Sequence, residues 1–167
     1  CKDKFGKCEV TSIKQGKRSV LTRPLLERGC DTFIRFNESV SILNKVHNND
    51  FVSIENIISA RKPFGDITPD TTTDNGILVY AYPRNGYISK TKVIQNNHWI
   101  DKYKVYIAKA YGERGAFPYL VLGKPFIGEP STCCTETYLV IGTFDSREQA
   151  ENLISYIRTR FFRFFVL

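Results

Sequence analysis

The residues best placed to do chemistry are cationic. Arg61 and Lys62 stand directly before Pro63-Phe64-Gly65. Proline forbids helix continuation there and glycine permits unusual dihedrals, so that loop would present the two cations rigidly. Arg84 and Asn85 lie at the tip of an expected hairpin, and Lys90 and Lys92 end it. Lys102, Lys104 and Lys109 decorate the following strand; Tyr111, Arg114 and Lys124 come after it. Basic side chains neutralise phosphates, and Arg or Asn reads guanine or adenine edges in the major groove. Plainer readings stand beside these. Arg61-Lys62 and Lys102/Lys104 also fit solvated turn and strand charges, and Asn85-Gly86 fits a simple tight turn. Arg158, Arg160 and Arg163 fit solvent or inter-domain contacts, and Trp99 fits packing.

Other chemistries need patterns that the chain lacks. There is no G-x-x-x-x-G-K-[ST] and no G-x-G-x-x-G; Gly112 and Gly115 open no expected helix. The (Asp/Asn)-Pro-Pro-aromatic tetrapeptide that amino-methyltransferases place against a flipped adenine is missing. Pro69-Asp70 has no downstream Glu/Asp-x-Lys, as a metal-dependent nuclease site would require. No G-x-S-x-G occurs, and His47 and His98 are isolated. Five cysteines include the adjacent Cys133-Cys134 but no C-x-x-C, so reduced thiols in a cytoplasmic protein are expected rather than zinc. Cys134 near Glu136 lacks a neighbouring base and reads as core filling on a strand.

Hydrophobic residues make up 42% of the 167, which is enough for a packed core. No apolar run reaches the length of about 18 that suits a membrane span. The net charge is +7, unevenly spread. Residues 1–30 hold eight Lys/Arg against three Asp/Glu, and residues 61–124 hold ten against five. That asymmetry points to a polyanionic partner. The polar start without Met and the apolar finish at Phe164-Phe165-Val166-Leu167 lead us to expect a piece of a larger polypeptide.

The elements that must hold these cations follow from periodicity. Residues 1–36 read as short strands or loops; Asn37 then caps a helix carrying Val40, Leu43 and Val46 to about His47. Ser53 caps a short helix through Ile54, Ile57 and Ile58. Strands are expected at Ile77–Tyr82 and Tyr87–Lys90 around Pro83-Arg84-Asn85-Gly86, then at Trp99-Ile100 with Lys104–Lys109. Further strands fall at Leu120–Leu122, Phe126-Ile127 and Thr137–Gly142. Lys104, Tyr106 and Ala108 share one strand face, with Lys102 if the strand extends; Lys109 points away with Val105 and Ile107. Asp145 with Glu148 suggests a capping box, and Ala150, Leu153, Ile154, Ile157 and Phe161 mark one face of a helix from Ser146 to at least Arg163. Its apolar end is expected to pack on a missing part of the parent.

Three stretches carry a family resemblance: Ile57–Gly65, Lys102–Gly112, and Val121–Pro125 through Thr135–Phe144 to Ile157 and Phe164. They resemble the carboxy-terminal recognition region of bacterial adenine-specific DNA methyltransferases fused to restriction nucleases. The order of elements is also similar to target recognition domains of type I specificity subunits, with Phe51-Val52-Ser53-Ile54 opening the domain and the final helix closing it. The resemblance covers residues 51–167, and residues 1–50 form a segment of uncertain role, expected to join the same domain. It implies a domain that grips duplex DNA and reads bases while another module flips the adenine. The expectation is an α+β domain with a twisted, mostly antiparallel sheet, short amino-terminal helices and a long carboxy-terminal helix. It would bind double-stranded DNA in the cytoplasm, away from membranes, with no cofactor or catalytic centre of its own, beside other domains or subunits of the enzyme. The parent would use S-adenosylmethionine, and Mg²⁺ if a nuclease is present. Alternatives are a divergent nuclease domain and a subunit-docking domain built on the apolar carboxy-terminal helix.

Overall fold

The computed structural model describes residues 6–47, 52–110 and 122–166. The chain divides into two compact units, residues 1–53 and 54–167. The protein is α+β, with three sheets in which antiparallel pairing predominates. Among the described residues, no helix is long and apolar enough to cross a membrane.

In the first unit, β1 (Lys7–Lys14) and β2 (Lys17–Pro24) form a two-stranded antiparallel ribbon, in register from Lys7↔Pro24 to Lys14↔Lys17. Gln15 and Gly16 make the turn at φ 49° and 77°, the two positive dihedrals of a type I′ hairpin. Helix α1 (Asn37–His47) packs against both strands. Asn37 opens the helix, but its side chain ties it to the ribbon instead of capping it. Its Nδ2 donates to the Val10 and Ser19 carbonyls at 2.9 and 3.1 Å, and its Oδ1 accepts from Arg23 Nε at 2.9 Å. Arg23 is itself buried, paired with Glu27 at 3.1 Å and donating to the Ile34 carbonyl. Among the described residues the buried apolar ones here are Val10, Val40 and Leu43, and buried polar bonds join them in holding the ribbon to α1.

The second unit holds two three-stranded sheets. In one, β3 (Ile77–Tyr80) lies between antiparallel β4 (Gly86–Ile88) and parallel β7 (Thr132–Cys134). In the other, β5 (Tyr103–Ala108) lies between antiparallel β6 (Phe126–Gly128) and β8 (Tyr138–Phe144). Val79, Ile88, Ile100, Tyr106, Cys133, Cys134 and Val140 join Phe64 in one core. On the opposite face of β5, Val105 and Ile107 pack with Ile141 against helices α2 (Arg147–Ile157) and α3 (Arg160–Val166). Strand β5 is therefore covered on both faces. Gly128 is needed beside it, because a Cβ there would overlap the Tyr106 ring.

Three expectations are corrected. Trp99 lies in a 3₁₀ turn rather than a strand. The cap of α2 is Ser146, with Gln149 as its partner, instead of Asp145 with Glu148. The single long final helix is two: α2 ends at Ile157 with Arg158 as its C-cap, and Thr159 Oγ1 donates to the Tyr156 carbonyl and accepts from the Phe162 N–H, so a separate helix α3 starts at Arg160. Leu122 lies in a bend, and the rest of the strand expected at Leu120–Leu122 lies outside the described residues.

Candidate nucleic-acid interface

The segment leading to Arg61 is fastened to β8. Ser59 N donates to the Val140 carbonyl at 2.8 Å, and Ser59 Oγ accepts from Val140 N at 2.9 Å. The chain then turns at Lys62, with Gly65 N returning to the Lys62 carbonyl at 3.0 Å and Asn96 Nδ2 bonding the Pro63 carbonyl at 2.7 Å. Buried Phe64 anchors the loop in the core. Arg61 is left 63% exposed, with Nε and Nη2 on Glu136 Oε2 at 2.9 and 2.6 Å. Lys62 pairs with Asp66.

A cleft of about 520 Å³ opens beside this loop, lined in part by Lys62, Asp66, Thr68, Tyr82, Arg84 and Glu136. Arg84 projects from the β3–β4 connection, whose turn Asn85 stabilises by accepting from Ala81 N at 3.1 Å. Lys109, just past β5, is exposed, and its N–H bonds the Thr137 carbonyl at 3.0 Å, beside Glu136. Glu136 is held below the usual carboxylate range, chiefly by the hydrogen bond and charge of Arg61, with Lys109 and Lys62 assisting. Three of the expected cations, Arg61, Lys62 and Lys109, thus act on one carboxylate, and Arg84 lines the cleft that this carboxylate also lines. Exposed ion pairs of this kind are worth about 1 kcal/mol or less, so a phosphate can replace the carboxylate at low cost.

The remaining expected residues fall elsewhere. Lys90 pairs with Asp101 at 2.6 Å and Lys102 with Asp145, and neither lines the cleft. Lys92 is exposed and acts electrostatically on Asp70, whose carboxyl is lowered mainly by hydrogen bonds from Thr72. Lys124 is exposed. Tyr111 and Arg114 lie outside the described residues. Lys104 is a correction: it is fully buried, with Nζ on the Ile100 and Glu129 carbonyls at 3.2 and 3.1 Å and on Thr132 Oγ1 at 3.2 Å. The alternation that put Lys104 with Tyr106 was right. That face, however, meets the other sheet rather than solvent, so its ammonium cannot reach a phosphate.

Two residues join the site that sequence reasoning had not placed there. Tyr82 is 80% exposed at the cleft edge, immediately before Arg84's turn. Its place at the end of an apolar run pointed to a core strand, and only the position of β3's last residue, Tyr80, frees it. Glu136 acts as the counter-charge, a role its local sequence did not signal. The neighbouring thiols are unsuited to nucleophilic work: Cys133 and Cys134 are fully buried, and desolvation pushes Cys133 up to about 12 and Cys134 further. No family model, curated protein or solved structure matches the chain.

Proposed function

We propose that this chain binds duplex DNA sequence-specifically, as the target recognition domain of a restriction-modification enzyme whose methyltransferase and nuclease modules lie outside it. The observation that carries the reading is an exposed cleft lined by Lys62, Arg84 and Glu136, with Arg61 and Lys109 drawn to that same Glu136 and Tyr82 at the cleft edge. The loop and turn that hold them are fastened by backbone hydrogen bonds, so the cations need little ordering to meet a phosphate backbone. Arg84 and Tyr82 sit exposed on the β3–β4 turn, where an arginine and a tyrosine can reach base edges. S-adenosylmethionine and Mg²⁺ would serve the parent's other modules.

Fluorescence polarisation with short duplexes tests this. Four phosphate contacts predict roughly a hundredfold loss of affinity between about 50 and 200 mM salt. Arg61→Ala with Lys62→Ala should weaken binding and flatten the salt slope by about two contacts' worth. No binding at low salt would end this reading. A docking role has one observation in its favour: Tyr156, Phe161 and Val166 leave large apolar surface exposed on α2 and α3. Salt-insensitive self-association, abolished by Phe161→Ser, would support that alternative.

A further inference from the structure

We propose that the β1–β2 ribbon of the first unit is a second DNA-contacting element, entering the major groove tip first. This rests on the chain being a DNA-binding protein, but it invokes residues far in sequence from the cleft. The ribbon is a two-stranded sheet joined to no other strand among the described residues. Eight paired rungs make it about 26 Å long at about 3.3 Å per residue. A two-stranded ribbon of this kind is one of the shapes that the major groove, about 12 Å wide, admits.

The charge is concentrated where it would enter. The last two rungs before the turn are Ile13↔Arg18 and Lys14↔Lys17. Lys14 lies over the Phe36 ring at 5.4 Å, whereas Lys17 and Arg18 are exposed and make no ion pair among the described residues. This contrasts with Arg61, Lys62, Lys90 and Lys102, each held by a carboxylate. The ribbon's own carboxylate, Glu9, sits opposite Thr22, four rungs from Arg18.

The outward face supplies groups suited to base edges. One side of the ribbon covers α1 and buries Val10, Ser12 and Arg23. The other side aligns Thr11↔Val20 and Ile13↔Arg18, with Ile13 67% and Val20 47% exposed. Methyl-bearing side chains beside an arginine can meet thymine methyls and guanine acceptors. An apolar partner protein would not account for the unpaired cations at the tip. Double-stranded RNA is disfavoured because its major groove is too deep and narrow for side chains to read.

The test uses the full chain with a duplex DNA, the matching RNA duplex, and three variants: Lys17→Ala with Arg18→Ala, the charge-conserving Lys17→Arg with Arg18→Lys, and Arg61→Ala with Lys62→Ala. Both ribbon positions are exposed at the tip, and circular dichroism confirms folding of each variant. The expected result is that the alanine ribbon variant lowers the slope of log affinity against log salt by about 1.8 and removes protection of guanine N7 from dimethyl sulfate. The charge-conserving variant should restore the slope. If the ribbon alanines change neither readout while the Arg61/Lys62 variant weakens binding, the ribbon proposal falls and the cleft reading stands. A ribbon effect without a cleft effect would do the reverse. RNA bound as tightly as DNA overturns major-groove entry, and a wild type that binds no duplex overturns both.

Discussion

Glu136 and Lys104 show how one side chain's surroundings decide whether a charge is free to act. Glu136 competes with any phosphate for Arg61, so Glu136→Gln should raise DNA affinity about fivefold at low salt, with the gain fading as salt rises. Unchanged or weaker binding would mean that the carboxylate positions Arg61 instead of occupying it. Lys104 works on stability. Burial lowers its pKa to about 8 from an ordinary 10.5, while Cys133, Cys134, Asp101 and Glu129 partly oppose the shift. Between these values the unfolded chain binds more protons than the native one, so this contribution to stability rises with pH. Cys133 does the opposite: its thiol is raised to about 12, so its contribution is present below about 9 and is lost between 9 and 12. The Cys134 thiol is raised further and acts as Cys133 does, so the urea midpoint should climb from pH 7.5 to 9 by about 0.5 kcal/mol of stability and fall above that, where two thiols outweigh one amine. Lys104→Met should abolish the rise and keep the fall. A wild-type midpoint that is flat or falling from pH 7.5 to 9 would contradict this account.

At the scale of elements, the start of α2 separates two candidates that lie side by side. Ser146 Oγ accepts from Gln149 N at 3.4 Å, and Gln149 Oε1 accepts from Ser146 N and Asp145 N at 3.3 and 3.2 Å. Ser146→Ala should cost about 1 kcal/mol in chemical denaturation, whereas Asp145→Ala, which removes only an exposed pair with Lys102, should stay within about 0.5 kcal/mol. Equal losses would restore Asp145 as the cap. The helix itself was legible because Ala150, Leu153, Ile154 and Ile157 keep one face. Its break was not, since neither proline nor glycine marks Arg158-Thr159 and the Thr159 hydroxyl makes the turn. The β3–β4 hairpin was legible from its turn residues. The β1–β2 ribbon was hidden by inverted patterning: Ser12 and Arg23 face inward while Ile13 and Val20 face out. For β5 the alternation was readable, but the burial of the Lys104 face depended on a sheet assembled from residues 77–88 and 132–134. The cationic positions of the cleft were named from the sequence. Their grouping around Glu136 needed contacts across 75 residues, which no local pattern carries.

Across the whole molecule, the two units are held by different means, and this sets how they should fail. The second has two apolar clusters that share the faces of β5. The first has few buried apolar residues among those described, and Arg23, Asn37 and Glu27 form a buried polar network in it. Arg23→Leu would leave Glu27 buried without its partner and Asn37 Oδ1 without its donor. Removing one member of a buried pair costs about 3–5 kcal/mol. That is comparable with the whole stability of a small domain, about 5 kcal/mol at the low end. The first unit should therefore open while the second stays folded. Native-state hydrogen exchange should show amides in β1, β2 and α1 losing protection, with β5 and β8 amides unchanged. The same variant would also lose the ribbon's share of the salt dependence and keep the cleft's, since Arg61, Lys62, Arg84 and Lys109 rest on the second core. Loss of protection in both units together would show that they fold cooperatively, and the ribbon could then not be removed without losing the cleft.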